Sequence, residues 1–471
     1  MTSCLFVLIL AQTIGHMSNF LPNSLVKKLG VNPLFDTAAF ISVHEEAKRA
    51  TAIRLNPRKL KECPFSDNRL VPWCEGAFYL NERPIFTLDP LFHGGGYYSQ
   101  DASSMFIDHI IRKLELDTKP VYALDLCAAP GGKSTLLNSS LHPESLLVAN
   151  EIIKTRVNIL QDNLTKWGNA NTVVTNNDPS AFDRLPGYFD VMVVDAPCSG
   201  SGMFRKDADA IDEWSEANVK LCSERQQRIL AESIATLKKG GYLLYSTCSY
   251  SEEENEDIAD WLIGTGDFES IEIAIDDSWG IEYTKSVEHA AHGYRFYPHK
   301  LSGEGFFITV LKKITEQSTF NRKRIKPEKS DVPKGILDAW IVNHEGFFPF
   351  IHHEDVYIFP KVYENDLKYL QNVLYLKNAG INIGKLNRKE LIPSHALALS
   401  NVLDPDFQNV ELSLEEAQNY LRKENVILEN IPVGMKGWTL AKYKGLSLGW
   451  IKVLPNRINN YYPKELRIVN L

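Results

Sequence analysis

Cysteine is scarce in this sequence. Seven occur in 471 residues, an odd number without framework spacing, which excludes a disulfide-stapled scaffold and points to a reducing compartment. No C-x-x-C pair and no His/Cys cluster has the spacing of a zinc site, so no metal is expected. The G-x-G-x-x-G turn of dinucleotide enzymes is missing, and so is the phosphate loop, which needs a longer spacer before Gly-Lys-Ser/Thr. Long apolar runs are missing as well. Cys4 to Leu10 is a run of seven residues, too short to span a bilayer. It has no Lys or Arg before it and no small-x-small cleavage site after it, unlike a secretory signal. Residues 1–16 are read as an incidental extension and Met17 as the ordinary start of a cytoplasmic protein with no membrane partner. No internal repeat is visible.

Positive charge is also in deficit, with a net charge of −8, which argues against a nucleic-acid binder until the chain is divided. From Asn430 to Leu471 there are seven basic residues (Lys436, Lys442, Lys444, Lys452, Arg457, Lys464 and Arg467) against one acid, Glu465. Charge asymmetry of this kind suggests a local polyanion-binding module on an acidic enzyme. A second basic run, Arg322 to Lys329, reads as a linker. Hydrophobic content of 44% and charged content of 23% are those of a soluble globular protein, and the length calls for several domains.

The chain is organised around Val121 to Thr135. An apolar run suited to a buried strand, Val121 to Leu126, breaks at Pro130, Gly131 and Gly132 and resumes at Lys133 as a helix. Strand, glycine turn and helix aim backbone N–H groups and a helix N-terminus at a ligand. Further strands are expected at 121–126, 146–150, 172–176, 189–195 and 241–246, with helices at 133–139, 153–167, 211–238 and 252–264. That alternation predicts an α/β fold, a doubly wound and mainly parallel sheet. Ligands of such sheets sit beyond the carboxyl ends of the strands. There the sequence puts Glu151, Asp178 and Asp195. Three carboxylates against one lysine, Lys133, disfavour a phosphate-rich ligand and suit a nucleoside with a short zwitterionic tail, S-adenosylmethionine.

Two cysteines follow strands of the same sheet. Cys198 stands in Pro-Cys-Ser-Gly and Cys248 in Ser-Thr-Cys-Ser, both loops of small residues expected to face one pocket. A lone cysteine is usually a small buried hydrophobe, and Cys4, Cys63, Cys74 and Cys222 are read that way. A pair in pocket loops suits chemistry on a poor carbon nucleophile such as C5 of cytosine. Thiolate addition at C6 turns the ring into an enamine, and a second group then assists release.

Cys127-Ala-Ala-Pro-Gly-Gly-Lys133, the run from Asp195 to Lys206 and Tyr245-Ser-Thr-Cys-Ser249, in this order, resemble the Sun/nucleolar-protein family of RNA cytosine-5 methyltransferases. The layout, including the basic C-terminal module, is similar to the bacterial branch that methylates small-subunit ribosomal RNA. The resemblance implies that Cys127, Ala128, Ala129, Pro130, Gly131, Gly132 and Lys133 wrap the methionine part of S-adenosylmethionine. It implies that Glu151 holds the ribose hydroxyls, that Asp178 sits at the adenine, and that Asp195 lies between cofactor and cytosine. Cys248 would be the nucleophile and Cys198 the releasing group, with Lys133 near the base. Arg54, Asn56, Tyr98 and Gln100 match family positions near the RNA cleft, and Arg205 and Lys206 close the second motif as further RNA-binding residues. An RNA partner, a Rossmann-like methyltransferase fold and a monomer are the expectation.

The segments expected are an N-terminal RNA-binding subdomain over 17–100, the methyltransferase domain over 101–314, a basic linker over 315–334, a small mixed domain over 335–400 and a PUA-like module over 401–471. The competing readings are the same reaction on transfer RNA, an RNA-binding assembly factor without catalysis, a nucleotide-dependent oxidoreductase, and a DNA methyltransferase. The intact motifs oppose the assembly factor, the missing G-x-G-x-x-G turn opposes the oxidoreductase, and the RNA-type tail opposes the DNA enzyme.

Overall fold

The computed structural model describes residues 21–46, 49–316, 332–333, 335–388, 390–424 and 434–469. The extension over 1–16 and the basic run Arg322 to Lys329 lie outside them. The chain divides into two compact units, one of residues 21–50, Ala196–Leu230 and Leu244–Thr315, the other of Thr51–Asp195, Ala231–Leu243 and Glu316 onward.

The unit that starts at Thr51 opens with a small antiparallel sheet. Its strands are β1 (Thr51–Leu55), β2 (Asn68–Leu70), β3 (Ala77–Leu80) and β4 (Tyr97–Ser99), in the order β2-β3-β1-β4. Every residue of β1 is buried. Then come the parallel strands β5 (Tyr122–Asp125), β6 (Leu146–Asn150), β7 (Thr172–Thr175) and β8 (Phe189–Asp195). β5 pairs with β6 and β8, and β6 pairs with β7, all parallel. The order β8-β5-β6-β7 places β5 between β6 and β8. Brought into one sheet by crossover helices, these strands are covered on both faces and so read as continuous apolar runs.

The crossover helix Lys154–Trp167 buries Val157, Leu160, Leu164 and Trp167. That helical spacing packs it against Ala128, Ala129, Ala149 and Val174. Fully burying each aliphatic side chain contributes roughly 1.5–3 kcal/mol.

The strand Leu376–Ala379 extends this sheet, pairing antiparallel with β7. It comes from the segment that the sequence pattern sets apart as 335–400. The rest of that segment builds a four-stranded antiparallel sheet from Phe347–His352, Asp355–Pro360, Ile381–Asn387 and Glu390–Pro393. The C-terminal strands Asn409–Glu411, Gly437–Tyr443, Leu446–Leu454 and Arg457–Asn460 form a further sheet. Between the first two of them, Ser413 and Glu416 close the capping box that their spacing predicts.

The strand β9 (Leu237–Thr247) runs from this unit into the other. That second unit holds the antiparallel strands Glu282–Lys285, His292–Phe296 and Phe306–Lys313, with Phe268–Ser270 also on Phe306–Lys313. Its N-terminal helices Asn23–Leu29 and Thr37–Glu45 pack Leu25, Val26 and Phe40 around Phe204, Trp214, Tyr250 and Tyr297.

Two expected helices are broken. Over 211–238 there are two, Asp209–Glu213 and Glu216–Ala231, because Trp214 turns extended and buries its ring. Over 252–264 the chain breaks at Asn255, leaving a single turn, Glu252–Glu254, before the helix Glu256–Gly264. Asn255 is drawn out of helical geometry because its side chain accepts from Thr247 Oγ1 and donates to the Ser249 carbonyl at 2.8 Å. Among the described residues no helix is long and apolar enough to cross a membrane.

Candidate active site

In the unit holding the parallel strands, β5 ends at Asp125 and the chain turns through Cys127 to Lys133. The backbone is pinned on both sides: Leu126 N donates to Val193 O at 3.0 Å, and Ala128 N to Asn150 O at 2.8 Å. The Ala129–Pro130 peptide is cis. Arg156 Nη2 donates to the Ala129 carbonyl at 2.7 Å and Asn163 Nδ2 to the Pro130 carbonyl at 2.8 Å. Gly131 then takes φ +112°, the left-handed region, and starts the helix Gly132–Ser140. A Cβ there would lie 3.3 Å from Leu160 Cδ1 as well as being strained. The result is a tight loop ending on a helix N-terminus.

The residues singled out beyond the other strand ends occupy distinct roles. Glu151 is buried at the end of β6, accepting from Ile153 N at 2.9 Å, with Arg156 Nη1 at 3.6 Å from its other oxygen. Asp178 caps the turn Pro179–Arg184, accepting from Ser180 N and Oγ. Asp195 ends β8 in an ion pair with Lys133, Nζ to Oδ2 2.6 Å. Cys127 is held as a neutral thiol: burial pushes it well up, helped by the charges of Asp125, Asp195 and Glu151.

Sequence reasoning missed Asp125. Its side chain is fully buried, and Ser134 Oγ donates to Oδ2 at 2.6 Å while Oδ1 has no partner. Burial raises the carboxyl to about 7, against the opposing pull of Ser134 and Lys133. An acid ending an otherwise apolar strand was the available signal.

The positions matched to an RNA cleft lie behind this loop. Arg54, on β1, is 2% exposed. Its Nη2 reaches Thr135 Oγ1 at 2.7 Å and the Gly132 carbonyl at 3.3 Å, Nη1 reaches Ser139 Oγ at 3.3 Å, and Nε reaches Gln100 Oε1 at 3.2 Å. The guanidinium lies 4.8 Å over the Trp167 ring. Asn56 is buried too, donating to the Gly95 and Trp167 carbonyls. Tyr98 and Gln100 are half-buried, within 3.4 and 3.6 Å of where a Cβ on Gly132 would stand. Arg54, Tyr98 and Gln100 thus shore up the first turn of the loop's helix, while Asn56 ties Gly95 to the end of the crossover helix at Trp167.

In the other unit the two cysteines meet, with Cys198 Sγ 3.0 Å from Cys248 Sγ and both thiols free. Their loops are stitched by Gly202 N to Cys248 O at 2.8 Å, Ala196 N to Ser246 O at 2.8 Å and Tyr250 N to Ser201 Oγ at 2.8 Å. Gly202 is required by closeness: a Cβ would stand 2.4 Å from Gly305 O. The Cys198 thiol is pushed well up by its hydrogen bond to Cys248, by burial and by the charge of Glu254. Arg205 is buried beside Glu304 at 3.5 Å, and Lys206 is half-buried. Among the described residues no group of three His, Cys, Asp or Glu could hold a metal ion.

Known proteins are similar to this chain in sequence and fold. The family model described as 16S rRNA methyltransferase RsmB/F matches residues 113–312. Those of the RsmF N-terminal domain and the RsmF PUA domain match 21–102 and 407–468. The ribosomal RNA small subunit methyltransferase F of Vibrio campbellii is 30% identical over 416 residues, 84% of this chain and 85% of that protein.

The chain belongs to the RsmB/F methyltransferase family. Its relative in Vibrio atlanticus, of the same name, is 29% identical and covers 97% of both chains. Among solved structures, a methyltransferase homolog from Pyrococcus horikoshii matches at a TM-score of 0.50 and 26% identity, covering 62% of this chain and 100% of that one. NSun6 from Pyrococcus horikoshii, solved with SFG, matches at 0.52 and 19%, covering 63% and 99%. The fold is the Rossmann-like α/β fold of methyltransferases with an N-terminal domain and a C-terminal PUA domain, and the RsmB/F chain is an enzyme, a methyltransferase.

Proposed function

We propose that this RsmB/F protein methylates C5 of a cytosine in small-subunit ribosomal RNA, through a covalent bond between Cys248 and C6 of the base. The observation that carries the reading is the pair of free thiols 3.0 Å apart in the Pro-Cys-Ser and Thr-Cys-Ser loops. The names of the relatives support the substrate. The PUA match and the basic C-terminal stretch support an RNA partner.

S-adenosylmethionine, when bound, supplies an electrophilic methyl group. The left-handed turn at Gly131, the helix N-terminus behind it and the orphan oxygen of Asp125 suit a nucleoside with a charged tail. Cys127 to Lys133 would hold the methionine part, Glu151 the ribose hydroxyls and Asp178 the adenine. Asp195 would lie between cofactor and target cytosine, with Lys133 near the base.

The Cys248 thiolate adds to C6, and the C5–C6 π electrons move to C5, making it the nucleophile for the methyl group. C5 then carries both hydrogen and methyl. Removal of the C5 proton restores the double bond and expels Cys248; the neutral Cys198 thiol gives its proton to the departing sulfur, and the Cys198 thiolate so formed accepts the C5 proton. The target base must leave its stack to reach such groups, so a loosely paired site is expected. The division into segments at 100, 314, 334 and 400 is part of the proposal, with a cytoplasmic monomer that needs no metal.

The test is transfer of labelled methyl to small-subunit RNA, free and assembled, and to transfer RNA. Label at C5 of a cytosine in the ribosomal substrate is the expected result, and label in transfer RNA alone, or none, overturns it. A second expectation concerns the loop. Gly131→Ala forces a side chain into the left-handed region and toward Leu160, a strain of about 1–2 kcal/mol. Its Kd for S-adenosylmethionine, read by calorimetry, should rise about tenfold.

A further inference from the structure

One carboxylate touches the residues that follow both cysteines. Glu254 Oε2 accepts from Ser199 Oγ at 2.6 Å and from Ser249 Oγ at 2.5 Å. Its other oxygen accepts from Ser199 N at 2.7 Å and Gln226 Nε2 at 3.4 Å. Gln226 Nε2 also donates to the Pro197 carbonyl at 3.1 Å, directly before Cys198. The Glu254 carbonyl accepts from Tyr245 OH at 2.7 Å. The side chain is fully buried, with no basic residue among these partners. An acid desolvated in this way costs stability unless its hydrogen bonds repay it. Burial does raise its carboxyl, and the Ser199 and Ser249 bonds oppose that rise. The break at Asn255 is what turns Glu254 inward, since it ends the turn Glu252–Glu254 and starts the next helix in a new direction.

We propose that Glu254 is the positioning residue of the thiol pair: by gripping Ser199 and Ser249 together it fixes the distance between Cys198 and Cys248. This rests on the reading of those thiols as nucleophile and releasing group. Ser199 and Ser249 are each one residue beyond a cysteine, so a carboxylate oxygen shared by their hydroxyls ties the two loops at the point where the sulfurs approach. The ionised form is the one that fits, because Ser199 N, two hydroxyls and an amide all donate to it. A glutamine amide cannot: its NH2 group would face the donors Ser199 N and Gln226 Nε2, or the two hydroxyls would lose their shared acceptor. Misplacement of reacting groups by about 1 Å lowers a rate by about 100-fold.

The experiment reads thiol spacing without reference to methylation. Full-length wild type, Glu254→Gln, Ser199→Ala and Ser249→Ala are treated with diamide, and the Cys198–Cys248 disulfide is followed by peptide mass. Two thiols lose two electrons and two protons, and the diazene takes up both to become the hydrazine. Wild type should form the disulfide quickly, Glu254→Gln at least about tenfold more slowly, and each serine variant a few-fold more slowly. Adding either serine change to Glu254→Gln should cause no further slowing, since one clamp is already open. In methyl transfer, kcat of Glu254→Gln should fall about 100-fold with KM for S-adenosylmethionine unchanged. A disulfide rate in Glu254→Gln within twofold of wild type, or serine effects that add fully to it, overturns the proposal. If Glu254→Gln does not fold, Ser199→Ala/Ser249→Ala carries the test, and a wild-type disulfide rate in that variant overturns it. Absence of methyl transfer by wild type would remove the proposed reaction while leaving the thiol measurement intact.

Discussion

Cys248→Ala is expected to lose methyl transfer by about 10⁴-fold or more and to form no covalent complex with RNA, because without the sulfur C5 is never activated. Cys198→Ala is expected to fail differently. Addition at C6 and transfer to C5 still proceed, but release stalls, and a covalent protein–RNA adduct accumulates that runs slowly on a denaturing gel. The Cys198 thiol is pushed up by its hydrogen bond to Cys248, by burial and by Glu254, so it stays a neutral thiol across the working range. A protonated thiol beside the attacking sulfur is poorly suited to attack and well suited to a later proton-handling step. The check is a gel and a filter assay on the same three proteins with labelled cofactor and ribosomal RNA. An adduct that forms with Cys248→Ala and not with Cys198→Ala would exchange the two roles.

How much of this was legible in the sequence varies with the range of the interaction. The parallel strands were readable because burial on both faces leaves continuous apolar runs, and β6 and β8 match the expected spans residue for residue. The site loop was readable because glycine and proline punctuate it. The broken helices were not, since periodicity carries no trace of Trp214 turning to bury its ring or of Asn255 bonding across to Thr247 and Ser249. Leu376–Ala379 was equally hidden, because a short strand pairs with β7 through backbone groups that no side-chain pattern announces. Glu254 sits in a run of three glutamates whose composition says solvent. Only the fold distinguishes the one that is fully buried from its neighbours. Thiol chemistry gave the cysteine pair its reaction and family resemblance assigned the parts of Cys248 and Cys198, whereas their 3.0 Å approach is a property of the folded loops.

Arg54 separates the two kinds of knowledge most sharply. Resemblance puts it near an RNA cleft, but its guanidinium is buried and its donors are spent on Thr135, Ser139, Gln100 and the Gly132 carbonyl. Burial lowers its pKa only to about 10, so it remains a cation at neutral pH, lying against Trp167. Arg54→Ala removes that packing and leaves buried acceptors without donors, a loss of about 3 kcal/mol in unfolding free energy. Arg54→Lys keeps the charge but cannot fork to Thr135, Ser139 and Gln100 together, so it too should lose stability, by about 1–2 kcal/mol. Because the fork braces the first turn of Gly132–Ser140, both variants should also weaken S-adenosylmethionine binding, by about tenfold for Lys and more for Ala. RNA binding measured without cofactor should keep the wild-type salt dependence in Arg54→Ala, since no phosphate contact is lost. Denaturant unfolding, calorimetry and a salt titration of RNA binding decide it together. A shallower salt slope with unchanged stability would return Arg54 to the RNA surface, because a residue that neutralises a phosphate changes the slope and one that holds a helix in place does not.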